Sequence, residues 1–535
     1  MPSKISGFQN EAVELPFVSA KTYTDPFNEI ELDVIFEDQD DNEWRMPAFW
    51  AGGQSWRVRF AGPKPGEYSY RTECTDQSNT SLHGITGLLN VKPYEGANEL
   101  LRNGFLRISK NRGNFEHRNG TPFLWLGDTW WMSLCHRLKW PNEFELLTAD
   151  RVSKGFTVIQ IVAGLYPDMP PFDERGANEA GYPWNEDYSR INPEYFDMAD
   201  RRIQHLIDSG LAPCIVGFWG CFIMWMGEKR AKQHWRNLVA RYGAYTVFWC
   251  IAGEGTMPYY LSESAESDEA EQRRILTTLA TYVHKIDPYD HPVTVHPCGL
   301  QNSVDQVEDL SVIDFEMQHT GHSGYKTLEH TVKTMRQTVA REPKMPAILS
   351  EVNYEGIMAQ NHQDIQRYLF WSCMLSGGAG HTYGANGLWQ LNRSGQPHGP
   401  SPHGMSWGNT PWDEACHLPG SREVGIGKKL LCRYPWSQFE PHQEWIEPHS
   451  TDEDFNKPFA AGIPRVVRVF YLPGEYELPV VKLIESDTDY EASYFNPSTG
   501  EEYPVGKVEP DSDGNWVCSK PPIVRDWVLV MRRTD

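Results

Sequence analysis

The sequence lacks any long hydrophobic run. No stretch of about 18 apolar residues, the length that a membrane-spanning helix requires, occurs in its 535 residues. Residues 1–10 also lack the apolar core of a signal peptide. We therefore expect no membrane partner. The sequence as it stands predicts a cytoplasmic protein, or a periplasmic or secreted one if a leader was removed.

Basic residues are scarce relative to acidic ones. The chain has 49 Lys and Arg against 72 Asp and Glu, giving a formal net charge of −23. A negative long-range field repels phosphate backbones, so nucleic acid is excluded as the expected partner.

Aromatic residues are abundant, with 20 Trp, 24 Tyr and 23 Phe. Their faces suit sugar rings, although a large β-containing core would also bury many of them.

Motifs for metals and disulfides are absent. The ten Cys show no CxxC spacing, and Cys214, Cys250 and Cys373 lie inside apolar runs, which favours a reducing compartment. Three histidines, His296, His319 and His322, follow two predicted strands without HxH or HExxH spacing. We interpret them as hydrogen-bonding or core residues rather than metal ligands. The sequence predicts neither a metal nor a cofactor.

The chain is long enough for two to four domains. Residues 1–100 and 431–535 alternate apolar and polar residues between turn-rich segments, which predicts an N-terminal and a C-terminal β-sandwich. Residues 101–430 instead alternate short apolar runs with amphipathic helices, one of them capped by Asn192 and begun by Pro193. This pattern is typical of the α/β class and predicts a (β/α)8 TIM barrel. The candidate barrel strands are 123–127, 158–162, 213–218, 247–252, 293–296, 312–315, 347–350 and 381–383.

Two glutamates follow the fourth and seventh predicted strands. Active sites of such barrels lie at the C-terminal ends of the strands. Glu254 and Glu351 are 97 residues apart, a gap that three βα units fill, so the two carboxylates face each other across the barrel mouth. Glycoside hydrolysis requires a carboxylic acid and a second carboxylate. We therefore predict that Glu254 and Glu351 are the catalytic pair of a glycoside hydrolase acting on a carbohydrate partner.

Other polar and aromatic residues near the strand ends are candidates for substrate binding. For Asp128, capping of the following turn is an equal alternative, and one of Trp130 and Trp131 is expected in the core. Tyr383 and His296 are the expected hydrogen-bond donors to Glu351. The long segments 166–191 and 386–416 are expected to shape the pocket. The candidate binding residues are Asp128, Trp130, Trp131, His296, Gln318, His322, Tyr383 and Asn386.

Several motifs together resemble the apiosidase-like glycoside hydrolases. They are Pro122-Phe-Leu-Trp-Leu-Gly-Asp-Thr-Trp-Trp131, Lys154-Gly-Phe-Thr-Val-Ile-Gln160, Asp314-Phe-Glu-Met-Gln-His-Thr-Gly-His322, Pro346-Ala-Ile-Leu-Ser-Glu-Val-Asn-Tyr-Glu355 and His381-Thr-Tyr-Gly-Ala-Asn-Gly-Leu-Trp389. The flanks are also similar to the β-domains that accompany this barrel in bacterial proteins, as in Thr24-Asp-Pro-Phe27 and Tyr494-Phe-Asn-Pro-Ser-Thr-Gly500. The resemblance therefore covers nearly the whole chain.

The resemblance implies a role for each glutamate. Glu351 matches the family's seventh-strand nucleophile and Glu254 its fourth-strand acid/base, which implies retention of configuration. At the fourth strand the family's apiosidases typically carry Gly-Gly-Asp, whereas this chain has Ala252-Gly-Glu254. The longer side chain of glutamate reaches the leaving oxygen from a different depth. The resemblance therefore implies glycoside hydrolysis but does not imply that apiose is the sugar.

Two alternatives stand beside this interpretation. A carbohydrate-binding pseudoenzyme would hold glycan without cleaving it, but the presence of both carboxylates argues against it. A metal-dependent hydrolase or lyase would lose activity to chelators. The expected substrate is a plant, algal or microbial polysaccharide or its oligosaccharides. The sequence does not identify the sugar, its anomer or its linkage. It also does not distinguish exo from endo action or predict an oligomeric state.

Overall fold

A computed structural model describes residues 5–474 and 478–534. The protein is of the mixed α/β class, with a central segment of strands and helices between two β-rich segments. Within the described residues, no helix combines the length and the apolar character needed to cross a bilayer.

The N-terminal segment forms two β-sheets. Its elements are β1 (Ile5–Phe8), β2 (Val13–Val18), α1 (Pro26–Glu29), β3 (Leu32–Glu37), β4 (Glu43–Pro47), β5 (Phe49–Trp50), β6 (Ser55–Phe60), β7 (Gly66–Cys74) and β8 (Thr86–Lys92). One sheet has the order β1-β8-β7-β3-β4 and the other β2-β6-β5. Phe36 of the first sheet and Phe60 of the second stack with 4.0 Å between ring centroids. The apolar faces of the two sheets therefore pack on each other.

The central segment alternates strands and helices. Its strands are β9 (Leu106–Ile108), β10 (Phe115–His117), β11 (Pro122–Phe123), β12 (Trp125–Thr129), β13 (Val158–Val162), β14 (Ala212–Val216), β15 (Phe248–Cys250), β16 (Val293–Thr294), β17 (Gln301–Asn302), β18 (Glu316–Gly321), β19 (Ala347–Val352) and β20 (Gly380–Tyr383). Its helices are α2 (Glu99–Asn103), α3 (Asn142–Lys154), α4 (Pro193–Asp208), α5 (Phe222–Tyr242), α6 (Ala265–Ile286), α7 (Tyr325–Val339), α8 (Gln363–Met374), α9 (Trp412–Ala415) and α10 (Pro419–Leu431). The Asn192 side chain caps α4, as the sequence predicts.

A curled nine-stranded sheet forms the centre of the protein. Its order is β16-β15-β14-β13-β12-β20-β19-β18-β17, so the first and last strands of the series, β12 and β20, are neighbours. All pairs from β16 to β18 are parallel. The two ends of this series approach each other, because Asp314 N donates to Val293 O at 2.8 Å. The order and curl are consistent with a TIM-like glycoside hydrolase fold.

The sheet departs from the predicted pattern at its fifth and sixth strands. The sixth strand is β18, whereas the sequence predicts it at 312–315, so that prediction is wrong. Leu310–Val312 forms a 3-10 turn instead. The connection from β16 to β18 contains β17 and 3-10 turns rather than an α-helix. Ser303 links the two sides, since its hydroxyl donates to Val295 O at 2.7 Å and accepts from Met317 N at 2.8 Å.

The hairpin of β9 and β10, with β11 beside it, covers the N-terminal end of the sheet. The Phe115 ring lies 5.7 Å from that of Trp125, 5.1 Å from that of Phe248 and 5.2 Å from that of Phe315. Aromatic rings from three parts of the sheet therefore fill this end. Such packing leaves the opposite, C-terminal ends of the strands to form a cavity.

The C-terminal segment also forms two sheets. Its strands are β21 (Glu440–Pro441), β22 (Ile446–Glu447), β23 (Phe459–Ile463), β24 (Val467–Leu472), β25 (Val480–Val481), β26 (Tyr490–Phe495), β27 (Glu502–Lys507), β28 (Trp516–Val517) and β29 (Trp527–Arg533). They pair in the orders β21-β23-β24-β29-β26-β27 and β22-β25-β28.

Buried arginines join the flanking segments to the central one. Arg367 of α8 donates to Asp526 of the C-terminal segment at 2.7 and 3.0 Å and to Glu423 of α10 at 2.6 Å. Arg59 of β6 donates to Asp200 of α4 at 2.5 Å. These ion pairs are sheltered from water, so breaking one by removing a single partner would cost several kcal/mol, on the order of 3 to 5.

Candidate active site

A cavity of about 300 Å³ lies at the C-terminal ends of the strands of the curled sheet. It contains both predicted catalytic glutamates and is otherwise mainly aromatic. Its lining residues are Trp131, Pro167, Asp168, Trp219, Glu254, Met257, Tyr260, His319, His322, Glu351, Tyr354, Ile357, Trp389, His403 and Trp407. Among the described residues the lining thus comes from the central segment alone.

Glu254 stands on a tight backbone turn after β15. Its φ is 40°, a left-handed conformation that costs a non-glycine residue about 1 to 3 kcal/mol and is often found at functional sites. The preceding Gly253 is needed because a Cβ there would lie 2.3 Å from the Trp219 ring. This close approach lets Trp219 Nε1 donate to Glu254 Oε2 at 3.2 Å. The turn therefore holds the carboxylate against an indole.

Glu351 lies in β19 and is surrounded by three imidazoles. His322 Nε2 is 3.0 Å from Glu351 Oε1, His296 Nε2 is 3.4 Å from Oε2, and His319 Nε2 is 3.6 Å from Oε1. Tyr354, three residues along the chain, packs on His322 with 4.6 Å between ring centroids. Glu351 is thus held among three imidazoles, of which His322 is hydrogen-bonded to it.

His319 lies between the two glutamates. Its Nδ1 is 3.5 Å from Glu254 Oε1 while its Nε2 is 3.6 Å from Glu351 Oε1. A single imidazole therefore faces both carboxylates, one with each ring nitrogen. The two glutamates share one cavity and one neighbour.

The surroundings shift the pKa values of the two glutamates in opposite directions. Burial, and then the charges of Glu351 and Asp168, raise the pKa of Glu254 well above its usual 4.5. Burial opposes ionisation of Glu351 too, but His319, the hydrogen bond from His322, and His296 outweigh it and lower the pKa of Glu351 to about 2. One glutamate is therefore suited to donate a proton and the other to remain a carboxylate.

The imidazoles of His296 and His319 are neutral at ordinary pH. Burial lowers the pKa of His296 and of His319 to about 4, against the opposing charge of Glu351. Of the three imidazoles, His322 hydrogen-bonds the Glu351 carboxylate, at 3.0 Å, whereas His296 and His319 favour its ionised form through their charge as the pH falls toward their own pKa values.

Within the described residues, one group has the spacing of a metal site. Ligand atoms of His319, His322 and Glu351 lie within 4.8 Å of one another. However, Tyr354 N donates to His322 Nδ1 at 3.2 Å, so the neutral ring carries its proton on Nε2, the atom that faces Glu351. A metal-binding imidazole has the reverse arrangement, with its outer nitrogen donating. The donor set therefore fits a carboxylate better than a metal ion.

Three of the residues predicted to bind substrate lie at the two glutamates. His322 and Trp131 line the cavity, and Trp131 Nε1 donates to Tyr354 Oη at 3.2 Å. His296 contacts Glu351 from behind the lining and packs against Trp131 with 5.3 Å between ring centroids. Their roles in binding remain predictions.

The other five predicted binding residues point elsewhere. Asp128 accepts from Trp130 Nε1 at 2.6 Å and from Arg151 Nε at 2.5 Å, in the packing against α3, so Trp130 is the core member of its pair. Gln318 Nε2 points to Thr334 O of α7 at 3.4 Å, because alternate residues of β18 face the helices. These side chains serve packing in this structure.

Tyr383 and Asn386 are also turned away from the cavity. Tyr383 Oη donates to Glu355 Oε2 at 2.6 Å, whereas the sequence predicts Glu351 as its partner. Asn386 Nδ2 donates to Thr410 Oγ1 at 3.3 Å, within the long loop that follows β20. The donor that takes the predicted place of Tyr383 beside Glu351 is His322.

Several lining residues escaped the sequence analysis as binding candidates. Trp219, Tyr260 and Tyr354 stand in loops after strand ends, and Asp168 lies in the segment 166–191 that was expected to shape the pocket. Scanning only the first polar residue after each strand misses them. The feature that could have indicated these residues is the aromatic content of the loops. That feature identifies particular side chains only once the folded chain shows which of them face the cavity.

Comparisons with known proteins find two family matches along the chain. Residues 109–438 match the family "Apiosidase-like, catalytic domain", and residues 9–75 match a domain of unknown function (DUF5060). A search of the curated proteins finds no match.

Solved structures show the same fold. A glycoside hydrolase family 5 protein from Bacteroides vulgatus ATCC 8482 is 22% identical, with a TM-score of 0.68 over 81% of this chain and 93% of its own. A structure named only as a glycoside hydrolase is 23% identical, with a TM-score of 0.67 over 80% of this chain and 97% of its own. Another Bacteroides vulgatus ATCC 8482 structure covers 99% of this chain and 100% of its own at 15% identity, with a TM-score of 0.71.

Proposed function

The chain belongs to the apiosidase-like glycoside hydrolases, and from this premise we propose that it cleaves glycosidic bonds with retention of configuration. Glu351 is the nucleophile and Glu254 the acid/base. The proposed substrate is a plant, algal or microbial polysaccharide or its oligosaccharides. We also interpret the curled sheet as a closed (β/α)8 barrel at residues 101–430, flanked by β-sandwich domains at 1–100 and 431–535.

The opposite environments of the two glutamates carry this proposal. A retaining glycosidase needs one carboxylic acid and one carboxylate in the same site at the same pH. Burial and neighbouring acids favour the protonated form of Glu254, while the imidazoles favour the ionised form of Glu351. Each residue thus begins the reaction in the state that its role requires.

Two steps follow from these states. The Glu351 carboxylate attacks the anomeric carbon as the glycosidic C–O bond breaks, and Glu254 gives its proton to the leaving oxygen. The Glu254 carboxylate then takes a proton from water, whose oxygen attacks the anomeric carbon and releases Glu351. His319 faces both carboxylates throughout and remains neutral.

The stereochemistry of the first product tests the mechanism. A panel of aryl glycosides identifies a cleaved substrate, and proton NMR of the anomeric signal during the first minutes of reaction reports its configuration. We expect the product to have the anomer of the substrate. An inverted product would contradict the retaining mechanism even if both glutamates proved essential, because inversion requires no covalent intermediate.

Trapping tests the identity of the nucleophile. A 2-fluoro glycoside with a good leaving group, in the configuration that the panel selects, should inactivate the enzyme and label one peptide. We expect the label on the peptide that contains Glu351. Labelling of Glu254 or Asp168 would overturn the assignment.

A further inference from the structure

Asp168 is a third carboxylate in the cavity, and in the steps above it neither attacks the sugar nor transfers a proton. It is buried, with 7% of its surface exposed, and its φ of 57° is left-handed. Burial raises its pKa, against hydrogen bonds from neighbouring side chains. A buried and strained acid at the wall of an active site requires a reason.

Two other loops hold Asp168 in place. The Ser401 hydroxyl donates to Asp168 Oδ1, and Trp407 Nε1 donates to Ser401 Oγ at 3.2 Å, both from the loop after β20. Asp168 N donates to Tyr260 Oη at 3.0 Å, from the loop after β15. The residue itself follows β13. Asp168 is therefore fixed, through its backbone and its carboxylate, by contacts from separate parts of the cavity rim.

Asp168 lacks a cationic partner among the described residues. No Lys or Arg lines the described part of the cavity, and the described ion pairs of the chain leave Asp168 without one. His403 is the closest candidate, but its ring stacks on Tyr260 with 5.1 Å between centroids. Burying a carboxylate without a counter-ion is costly unless hydrogen-bond donors replace the lost water. Ser401, Tyr260 and Trp407 supply such donors, and because a carboxylate has about four acceptor sites, capacity remains for a hydroxyl group of a sugar.

We propose that Asp168, with Ser401 and Trp407, forms a subsite that binds hydroxyl groups of an uncharged sugar ring and rejects uronic acids and other anionic sugars. The proposal rests on the proposed glycosidase function and names its substrate class. The remaining acceptor site of the carboxylate takes a hydrogen bond from a sugar hydroxyl, and such charge-assisted bonds are the stronger kind. The aromatic side chains of Trp407 and Tyr260 line the cavity beside it.

The charge of the cavity supports the exclusion of anionic sugars. Asp168, Glu254 and Glu351 are the acids of the lining, and the described lining has no Lys or Arg to pair with a sugar carboxylate. A uronate would meet an ionised Glu351 and Asp168 in a low-dielectric site, where repulsion between like charges is strong. A neutral ring meets only acceptors for its hydroxyl groups.

The test uses 4-nitrophenyl glycosides of neutral sugars (gluco, galacto, manno, xylo and arabino, both anomers) and the matching glucuronides and galacturonides. Hydrolysis is measured with the full chain. Binding is measured separately by calorimetry with the Glu351→Gln variant, which removes turnover from the readout. We expect neutral glycosides to be bound and cleaved at least tenfold better than uronides.

Variants assign the selectivity to Asp168. Asp168→Asn should lower kcat/KM for the best neutral glycoside about 10- to 100-fold and narrow the gap to the uronides, since a charged acceptor is lost. The matched control is Asp173→Asn, which changes a carboxylate of the same loop that is paired with Arg175 at 2.7 Å. Its kcat/KM for the same glycoside should stay within about twofold of the wild-type value. Ser401→Ala should also weaken the binding of neutral glycosides. This second variant still tests the subsite if Asp168→Asn fails to fold.

The outcomes separate this proposal from the proposed function. Cleavage that is unchanged in Asp168→Asn, or a preference for uronides, overturns the subsite and leaves the glycosidase in place. Binding of neutral glycosides that depends on Asp168, without cleavage of any of them, supports the subsite and overturns the glycosidase. Absence of binding by every neutral glycoside overturns the subsite.

Discussion

The two catalytic candidates are both glutamates, but the two sides of the cavity shift their pKa values in opposite directions. Glu254 faces an acidic and aromatic wall, where Trp219 is its hydrogen-bond donor and Asp168 and Glu351 repel its charge. Glu351 faces a wall of three imidazoles. Both glutamates are largely buried, so burial alone does not distinguish them. The neighbours that each loop brings decide which glutamate is the acid and which the carboxylate.

The comparison predicts that removing Glu351 has the largest effect. Glu351→Ala should be inactive on every glycoside, a loss of about 10⁴-fold or more, since no other group can form the covalent intermediate. Initial rates on a substrate with a good leaving group measure it. Full-strength binding of that substrate by the variant is the control for folding. Activity within tenfold of the wild type would contradict the assignment.

Removing Glu254 should have a smaller effect that depends on the leaving group. General acid catalysis contributes about 10² to 10⁴-fold, and a nitrophenolate leaves without a proton. Glu254→Ala should therefore keep measurable activity on 4-nitrophenyl glycosides and lose it on natural linkages. Added azide should raise its rate and yield a glycosyl azide of retained configuration.

The azide experiment also tests the contrast between the walls. Azide can replace the base that Glu254 supplies in the second step, whereas Glu351→Ala has no retained intermediate for azide to attack. Rescue of Glu351→Ala to a retained product, with no rescue of Glu254→Ala, would reverse the two roles.

The pH profile should report the acidic wall. In its proposed role as the acid, Glu254 must be protonated, so we expect activity below its raised pKa and a fall in activity as the pH rises through that value. Because the charge of Asp168 helps to raise this pKa, Asp168→Asn should shift the alkaline limb of kcat/KM to lower pH. Glu351, with a pKa of about 2, should limit activity only in strong acid.

A control separates this shift from general damage. Asp173→Asn removes a charge from the same loop at a site outside the cavity lining and should leave the alkaline limb in place. An alkaline limb that stays at the same pH in Asp168→Asn would show that Asp168 does not act on Glu254 through its charge.

Much of the fold is readable from local patterns. The helix α4 begins where Asn192 and Pro193 predict, and short apolar runs mark seven of the strands because both faces of a parallel sheet are buried. The sixth strand was misplaced. Its residues, Glu316–Gly321, carry polar side chains that bond to α7, so the strand lacks an apolar run.

The site was less predictable than the fold. Strand-end position brings Glu254 and Glu351 together, as expected for a parallel barrel. It does not show which way a side chain turns, and Tyr383 turns to Glu355 while Gln318 turns to a helix. Nor can it bring Asp168 to Ser401, since 233 residues separate them in the chain. Those contacts depend on how long loops fold over the mouth.

The smallest expected effect is that of removing metals. The histidines around Glu351 could in principle either hold a metal ion or donate hydrogen bonds to the carboxylate. The proton of His322 decides between the two, because Tyr354 N occupies its Nδ1 and leaves Nε2–H to donate to Glu351. Binding an ion at Nε2 would break that bond, leave two donors facing each other at Nδ1, and withdraw the Glu351 carboxylate from the anomeric carbon. Incubation with EDTA followed by desalting should therefore leave kcat/KM unchanged within experimental error, with an untreated sample desalted in parallel. Loss of turnover that a divalent cation restores would overturn both the tautomer and the carboxylate mechanism built on it.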